Sequence, residues 1–203
     1  MYKEILYKKQ LDNISILKLF SSNFYLAWWT AIALQLWHRK SIDFDLFSNK
    51  IINNTSILNK LKINWYVVDR ILIDNKGEEL TLIIWGVKVT FLYYPFDIKL
   101  SKTFEWIKLP DLEYLWAMKF YTLWRRSKYK DYIDIYMLFK NNLTLSVISK
   151  LADKIFWWWY NEKLLREQLC YYDDIDYSEQ VDFISKEITQ MKIKKYLIEI
   201  SKR

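Results

Sequence analysis

Glycine is nearly missing from this chain. Its 203 residues include 2 glycines, where average usage supplies roughly 14, so most turns that need a positive φ lack the residue that adopts one freely. Proline is also scarce, at 2 residues. A single cysteine, Cys170, excludes an intrachain disulfide and a cysteine-based zinc cluster, and fits a reducing cytoplasm. The longest apolar-looking segment, residues 24–37, includes Thr30 and Gln35 and falls short of the ~18–20 residues of a membrane span. The opening MYKEILYKKQLDN mixes acids with lysines and does not read as a signal peptide.

Tryptophan takes the opposite extreme, with 11 residues. The tryptophans and glycines together come close to an ordinary glycine content. UGA is read as stop, as tryptophan or, in some bacterial lineages, as glycine. The expectation is therefore that the tryptophan positions are glycines in the native host. The competing reading is an AT-rich genome with a genuine aromatic excess; UGG codons at Trp28 and Trp29 would end the recoding idea. A hydrophobic content of 52% supports a substantial core. The net charge of +7 favours polyanions such as nucleotides or RNA, and is equally compatible with a merely soluble basic surface.

The pattern along the chain predicts an α+β protein. A helical first ~20 residues leads to a strand at Phe24–Ala27, a turn at Trp28-Trp29, a helix from Thr30 to Trp37 and a strand over Ile42–Phe47. Residues 63–74 and 79–94 read as strands around an Asn75-Lys76-Gly77 hairpin turn, giving a mixed sheet. Pro110-Asp111 opens a helix carrying Leu112, Leu115, Trp116, Lys119 and Leu123; further helices are expected over Asp131–Lys140, from about Asn161 and from Ser178. The division is a 1–108 α/β core and a 109–203 helical part packed on it as one continuous domain.

Chemistry concentrates in two places. In Asp43-Phe44-Asp45 the carboxylates share one strand face, with Ile42, Phe44 and Leu46 turned toward the core. Like charges that close need a cation between them, and Mg2+ suits, since it takes hard oxygens and keeps positions for water and phosphate. Alone, such a pair is as well read as a solvated strand end. With glycines at 28 and 29, however, a bare turn precedes a helix whose first amides can meet phosphate, and Thr30 adds a hydroxyl. Lys119 lies within an apolar helix stripe, so its ammonium either snorkels outward or meets an anion inside. Asp131 and Asp134 share a helix face and in isolation read as surface partners of Lys128 and Lys130. His38 and Arg39 follow a helix end, where a cation complements the dipole or Arg39 contacts phosphate. Ser41 reads as a hydrogen-bonding support for the carboxylate strand, and Trp157-Trp158-Trp159 as a loop.

LAWWTAIALQLWHRKSIDFDLF, from Leu26 to Phe47, resembles the signature of the AbiEii/AbiGii toxin family within the DNA polymerase beta-like nucleotidyltransferases, in which a GG[ST] turn and a DxD pair bind nucleotide and metal. Residues 109–139, LPDLEYLWAMKFYTLWRRSKYKDYIDIYMLF, resemble the family's later lysine and KDxxD motifs, and residues 86–96, GVKVTFLYYPF, its following strand. The likeness spans about residues 20–175, with Trp28, Trp29, Trp37 and Trp124 where the family places glycine. It implies a nucleotidyltransferase-type mixed sheet with flanking helices and a helical C-terminal half. It further implies Asp43 and Asp45 as catalytic metal ligands for one or two Mg2+ ions, with Lys119 also catalytic and Asp131, or Asp134 in its place, as the functional aspartate of the KDxxD segment. Positions 28, 29 and 30, Arg39, Ser41 and Asp134 would bind substrate. The implied reaction is transfer of NMP from a nucleoside triphosphate to a hydroxyl, with a tRNA end as acceptor. The implied setting is a type IV toxin-antitoxin or phage-defence system, with an antitoxin encoded nearby and no membrane association. A third carboxylate would be sought in VKVTFLYY, which instead offers Lys88 and Thr90, with Asp97 beyond. The rival expectations are a small-molecule or protein nucleotidyltransferase, and a non-catalytic binding protein if the tryptophans are genuine.

Overall fold

The computed structural model describes residues 1–123, 128–184 and 186–202. Contacts divide the chain into two compact units, Met1–Gln35 with Ser41–Asp111, and Leu36–Lys40 with Leu112–Arg203.

In the first unit, two short helices, α1 (Lys8–Asp12) and α2 (Ser15–Phe20), precede strand β1 (Tyr25–Leu26), helix α3 (Trp28–Leu36) and strand β2 (Asp43–Ser48). Helix α4 (Asn54–Ile63) and strands β3 (Val68–Asn75), β4 (Glu79–Ile84) and β5 (Val87–Tyr93) follow. The sheet order is β1-β2-β5-β4-β3, with β2 and β5 parallel and the other pairs antiparallel. A separate hairpin joins β6 (Lys102–Phe104) to β7 (Ile107–Leu109). Burial explains the sheet: Phe44, Leu46, Leu80, Leu82, Ile84, Val89 and Phe91 are fully excluded from solvent. Phe20 of α2 meets Phe91 edge-on at 4.7 Å, closing one end of this core.

The second unit is helical: α5 (Leu112–Leu123), α6 (Tyr129–Lys140), α7 (Leu145–Phe156), α8 (Glu162–Cys170) and α9 (Gln190–Ser201). Thr144 and Asn161 cap α7 and α8 by accepting hydrogen bonds from Val147 and Leu164 amides. No helix among the described residues is long and apolar enough to cross a membrane.

Tryptophan occupies the places where a chain bends into left-handed backbone. Trp28 (φ 46°), Trp37 (53°), Trp65 (62°), Trp85 (48°) and Trp157 (38°) all have positive φ; among other described non-glycine residues only Glu105 and Asn142 do. Trp65 is the residue after the Asn64 cap of α4. Its amide donates to Lys62 O and the Tyr66 amide to Leu61 O, the paired bonds of a helix end that favours glycine at this position. Trp85 and Gly86 form the two-residue loop between Ile84 and Val87, which pair directly; positive φ at both positions makes it a type I′ hairpin, where Asn-Gly and Gly-Gly are preferred. Trp29 is buried without a positive φ, and Trp124 lies outside the described residues.

Several expectations are corrected. Residues 79–94 are two strands, because the Trp85-Gly86 turn reverses the chain. The expected strand at 63–74 begins at Val68, since Ile63 ends α4 and Trp65 is left-handed. Ile42 is 59% exposed although Phe44 and Leu46 are buried, as β2 starts only at Asp43. The helix expected from Ser178 starts at Gln190, because residues 182–184 are held in extended form. Lys40 N donates to Asp182 O, Ile184 N donates to His38 O, and Arg39 bridges Phe183.

Candidate nucleotide and metal site

Asp43 and Asp45 open β2 and project to one face by strand alternation; both are almost fully buried. A buried carboxylate pair is costly unless its charge is met. Part of the answer lies on the neighbouring strand. Parallel pairing sets Lys88 beside Asp43 and Thr90 beside Asp45, and the Lys88 ammonium lies 3.3 Å from Asp43 Oδ2. The β2 backbone is fixed from several sides. Ala27 N donates to Asp45 O at 2.9 Å, Gln10 Nε2 to Asp43 O at 3.4 Å, and the Thr30 hydroxyl to the Asp43 carbonyl. Ser41 Oγ is 2.7 Å from Thr30 Oγ1, so Thr30 and Ser41 form a buried bridge between the start of α3 and the entry to β2.

The first turn of α3, which begins at Trp28 and not at the expected Thr30, is crowded. Trp28 lays its ring against Phe47 at 4.7 Å, and Trp29 is packed inside. Two glycines there would expose main chain in place of two indoles.

Among the described residues no cluster of three or more His, Cys, Asp or Glu side chains forms a metal cage. The donor set is the carboxylate pair. Two hard oxygens on one face suit Mg2+, which keeps coordination positions for water and phosphate, and the approach of Lys88 shows that Asp43 Oδ2 already draws a cation. The residues fit the ion.

The helical unit gathers the remaining predicted residues. Arg39 forks onto Asp134, Nε to Oδ1 and Nη2 to Oδ2, each at 2.9 Å, the bidentate geometry that makes guanidinium–carboxylate pairs strong. His38 Nε2 lies 2.6 Å from the same Oδ1. Lys119 Nζ donates to Asp131 Oδ1 at 2.8 Å and stands 3.9 Å from Asp134 Oδ2. Lys119, Asp131 and Asp134 are fully buried. The anion that the Lys119 ammonium meets is therefore Asp131. Lys128 and Lys130, the surface partners considered for the aspartates, pair instead with Glu179.

These contacts decide the protonation states. Burial pushes the Asp134 carboxyl up, but the Arg39 charge and the His38 bond outweigh it and hold it well below the carboxylate range. Burial pushes His38 down; the bond to Asp134 opposes this without reversing it, and Arg39 and Lys119 add repulsion. His38 is accordingly neutral, and its Nδ1 is buried without a hydrogen bond among the described residues. The helix-end reading of His38 and Arg39 missed Asp134, which lies 95 residues beyond Arg39. Lys88 was visible only as a residue standing where a third carboxylate was sought, because parallel pairing has no local signal.

No protein-family model matches the chain, and no curated protein does. Two solved structures share its fold over nearly the whole length. One is a "putative nucleotidyltransferase from H. pylori", at 16% identity and TM-score 0.57, with 97% of this chain and 94% of that one covered. The other is JHP933 from Helicobacter pylori, at 16% identity and TM-score 0.56, covering 97% and 92%. With its mixed five-stranded sheet, flanking helices and helical C-terminal half, the chain has the nucleotidyltransferase fold.

Proposed function

We propose that the chain, in the form made by its native host, transfers a nucleoside monophosphate from a nucleoside triphosphate to an acceptor hydroxyl. The observation that carries this reading is the Asp43–Asp45 pair, buried on one face of β2 and braced by Thr30 and Ser41, in a chain of nucleotidyltransferase fold. The hydroxyl oxygen bonds the α-phosphorus as the bond to pyrophosphate breaks, and the hydroxyl proton leaves to a base. Asp43 and Asp45 would hold one or two Mg2+ ions, which would supply charge neutralisation for the phosphates and a lowered pKa for the attacking hydroxyl. Backbone at positions 28–30 takes the phosphates, which requires glycine at 28 and 29, and we assign recoded UGA codons there. Arg39 contributes indirectly: its fork onto Asp134 holds the segment that leads into Ser41 and Asp43. Within the helical unit, Lys119 and Asp131, which the resemblance implies as catalytic, are held together by their 2.8 Å bond.

The resemblance of residues 26–47 and 109–139 to the AbiEii/AbiGii toxins supports the narrower reading. On it the chain is a cytoplasmic toxin of a type IV toxin-antitoxin or phage-defence system, with a tRNA end as acceptor and an antitoxin encoded nearby; the charge of +7 agrees with RNA. Incubating the glycine form with α-labelled triphosphates, tRNA and total protein tests it. Label on RNA supports the reading, label on protein or a small molecule moves the acceptor, and absence of label from every species refutes nucleotidyl transfer. A second reading applies to the tryptophan form. With Trp28 on Phe47 and Trp29 buried, the phosphate turn is filled, and that polypeptide is a non-catalytic binding protein. Equal magnesium-dependent nucleotide affinity in both forms would contradict the steric reasoning.

A further inference from the structure

We infer that Lys88 is a displaceable counter-cation of the metal carboxylates, a positioning residue that sets how tightly the site takes a divalent ion. The inference rests on the assignment of Asp43 and Asp45 as metal ligands. Its basis is the β2–β5 register: Lys88 stands directly beside Asp43, and the neighbour of Asp45 is a threonine. The neighbouring strand thus brings an ammonium to the pair in place of another carboxylate, with Nζ 3.3 Å from Asp43 Oδ2.

The two partners differ in what leaving would cost them. The Asp43 side chain is 7% exposed and fixed on the strand, whereas Lys88 is 40% exposed on a flexible four-carbon stem whose ammonium hydrates readily. Lys88 can therefore swing into water while Asp43 stays. An ammonium near a ligand oxygen offsets the charge that attracts a divalent ion and repels the ion itself. At the water-like dielectric suited to so exposed a side chain, the repulsion corresponds to about a tenfold loss of metal affinity. Without substrate, Lys88 satisfies Asp43 and keeps the pair from holding metal tightly. Triphosphate, whose own charge offsets the ammonium, restores the attraction, so metal and nucleotide enter together.

The test is a Mn2+ titration of the protein without nucleotide, followed by the paramagnetic resonance of free ion, in the parent, Lys88→Met, Lys88→Glu and Asp43→Asn chains, each checked for folding by circular dichroism. Lys88→Met is expected to tighten Mn2+ binding about tenfold, and Lys88→Glu, which adds a carboxylate, by more. A lysine that only secured the strand pair would leave affinity unchanged or lower it when replaced, and either result in folded Lys88→Met overturns the inference. Asp43→Asn separates the two levels. If it weakens Mn2+ binding while Lys88→Met fails to tighten it, only the role of Lys88 is wrong. If it leaves Mn2+ binding unaltered, Asp43 is no metal ligand and both fall.

Discussion

Replacing Trp65 with glycine should stabilise the fold, although glycine ordinarily weakens a helix end by enlarging the freedom of the unfolded chain. Trp65 holds φ 62°, and a left-handed backbone costs a residue with a Cβ roughly 1–2 kcal/mol. Its indole is 87% exposed, so little burial is lost on removal. Glycine gives back about 0.5–1 kcal/mol through unfolded-chain entropy, leaving a net gain of roughly 0.5–1 kcal/mol. Trp65→Ala is the control, because it removes the indole and keeps the strain. Urea unfolding of the three chains reads the difference. At an m-value of about 2 kcal/mol/M, the glycine variant should unfold about 0.3–0.5 M later than the parent, and later than the alanine variant. A glycine midpoint at or below that of alanine would refute the claim that this position is built for glycine.

Other outcomes follow from the buried polar network. Arg39→Met leaves the Asp134 carboxylate without its fork and should cost about 3–5 kcal/mol in urea unfolding; a loss under about 1 kcal/mol would show that the fork is dispensable. His38 is neutral when folded because its pKa lies below the unfolded value of 6.5. Its contribution is therefore complete above pH 6.5 and is lost as pH falls from there toward the folded pKa, at up to about 1.4 kcal/mol per pH unit. His38→Gln should flatten the stability profile below pH 6.5, and an unchanged slope there would contradict the buried neutral assignment.

How much of this was legible in the sequence depended on distance along the chain. Alternation in Asp43-Phe44-Asp45-Leu46 sufficed to place both acids on one face, and Pro110-Asp111 and Asn161 marked helices that begin at Leu112 and Glu162. Helix α4 was missed because NTSILNKLKI buries only Asn54, Ile57 and Leu61, too thin a stripe for a clear period. The apolar spacing of Val181, Ile184 and Ile188 imitated a helix, whereas residues 182–184 spend their backbone groups on residues 38–40. Partners such as Lys88 for Asp43 and Asp134 for Arg39 depend on strand order and helix packing, which leave no trace in neighbouring letters. The tryptophans were the reverse case. Their excess over glycine was visible in composition alone, and the left-handed backbone at Trp28, Trp37, Trp65, Trp85 and Trp157 gives it a physical meaning.

The most direct measurement is transfer of α-32P-labelled nucleotide by the glycine form to an acceptor mixture of tRNA, protein and small hydroxyl compounds, with and without Asp43→Asn and Asp45→Asn. Covalent label that appears with the parent and falls by at least about a hundredfold in the double variant is the predicted result. Undiminished labelling by a folded double variant would contradict it.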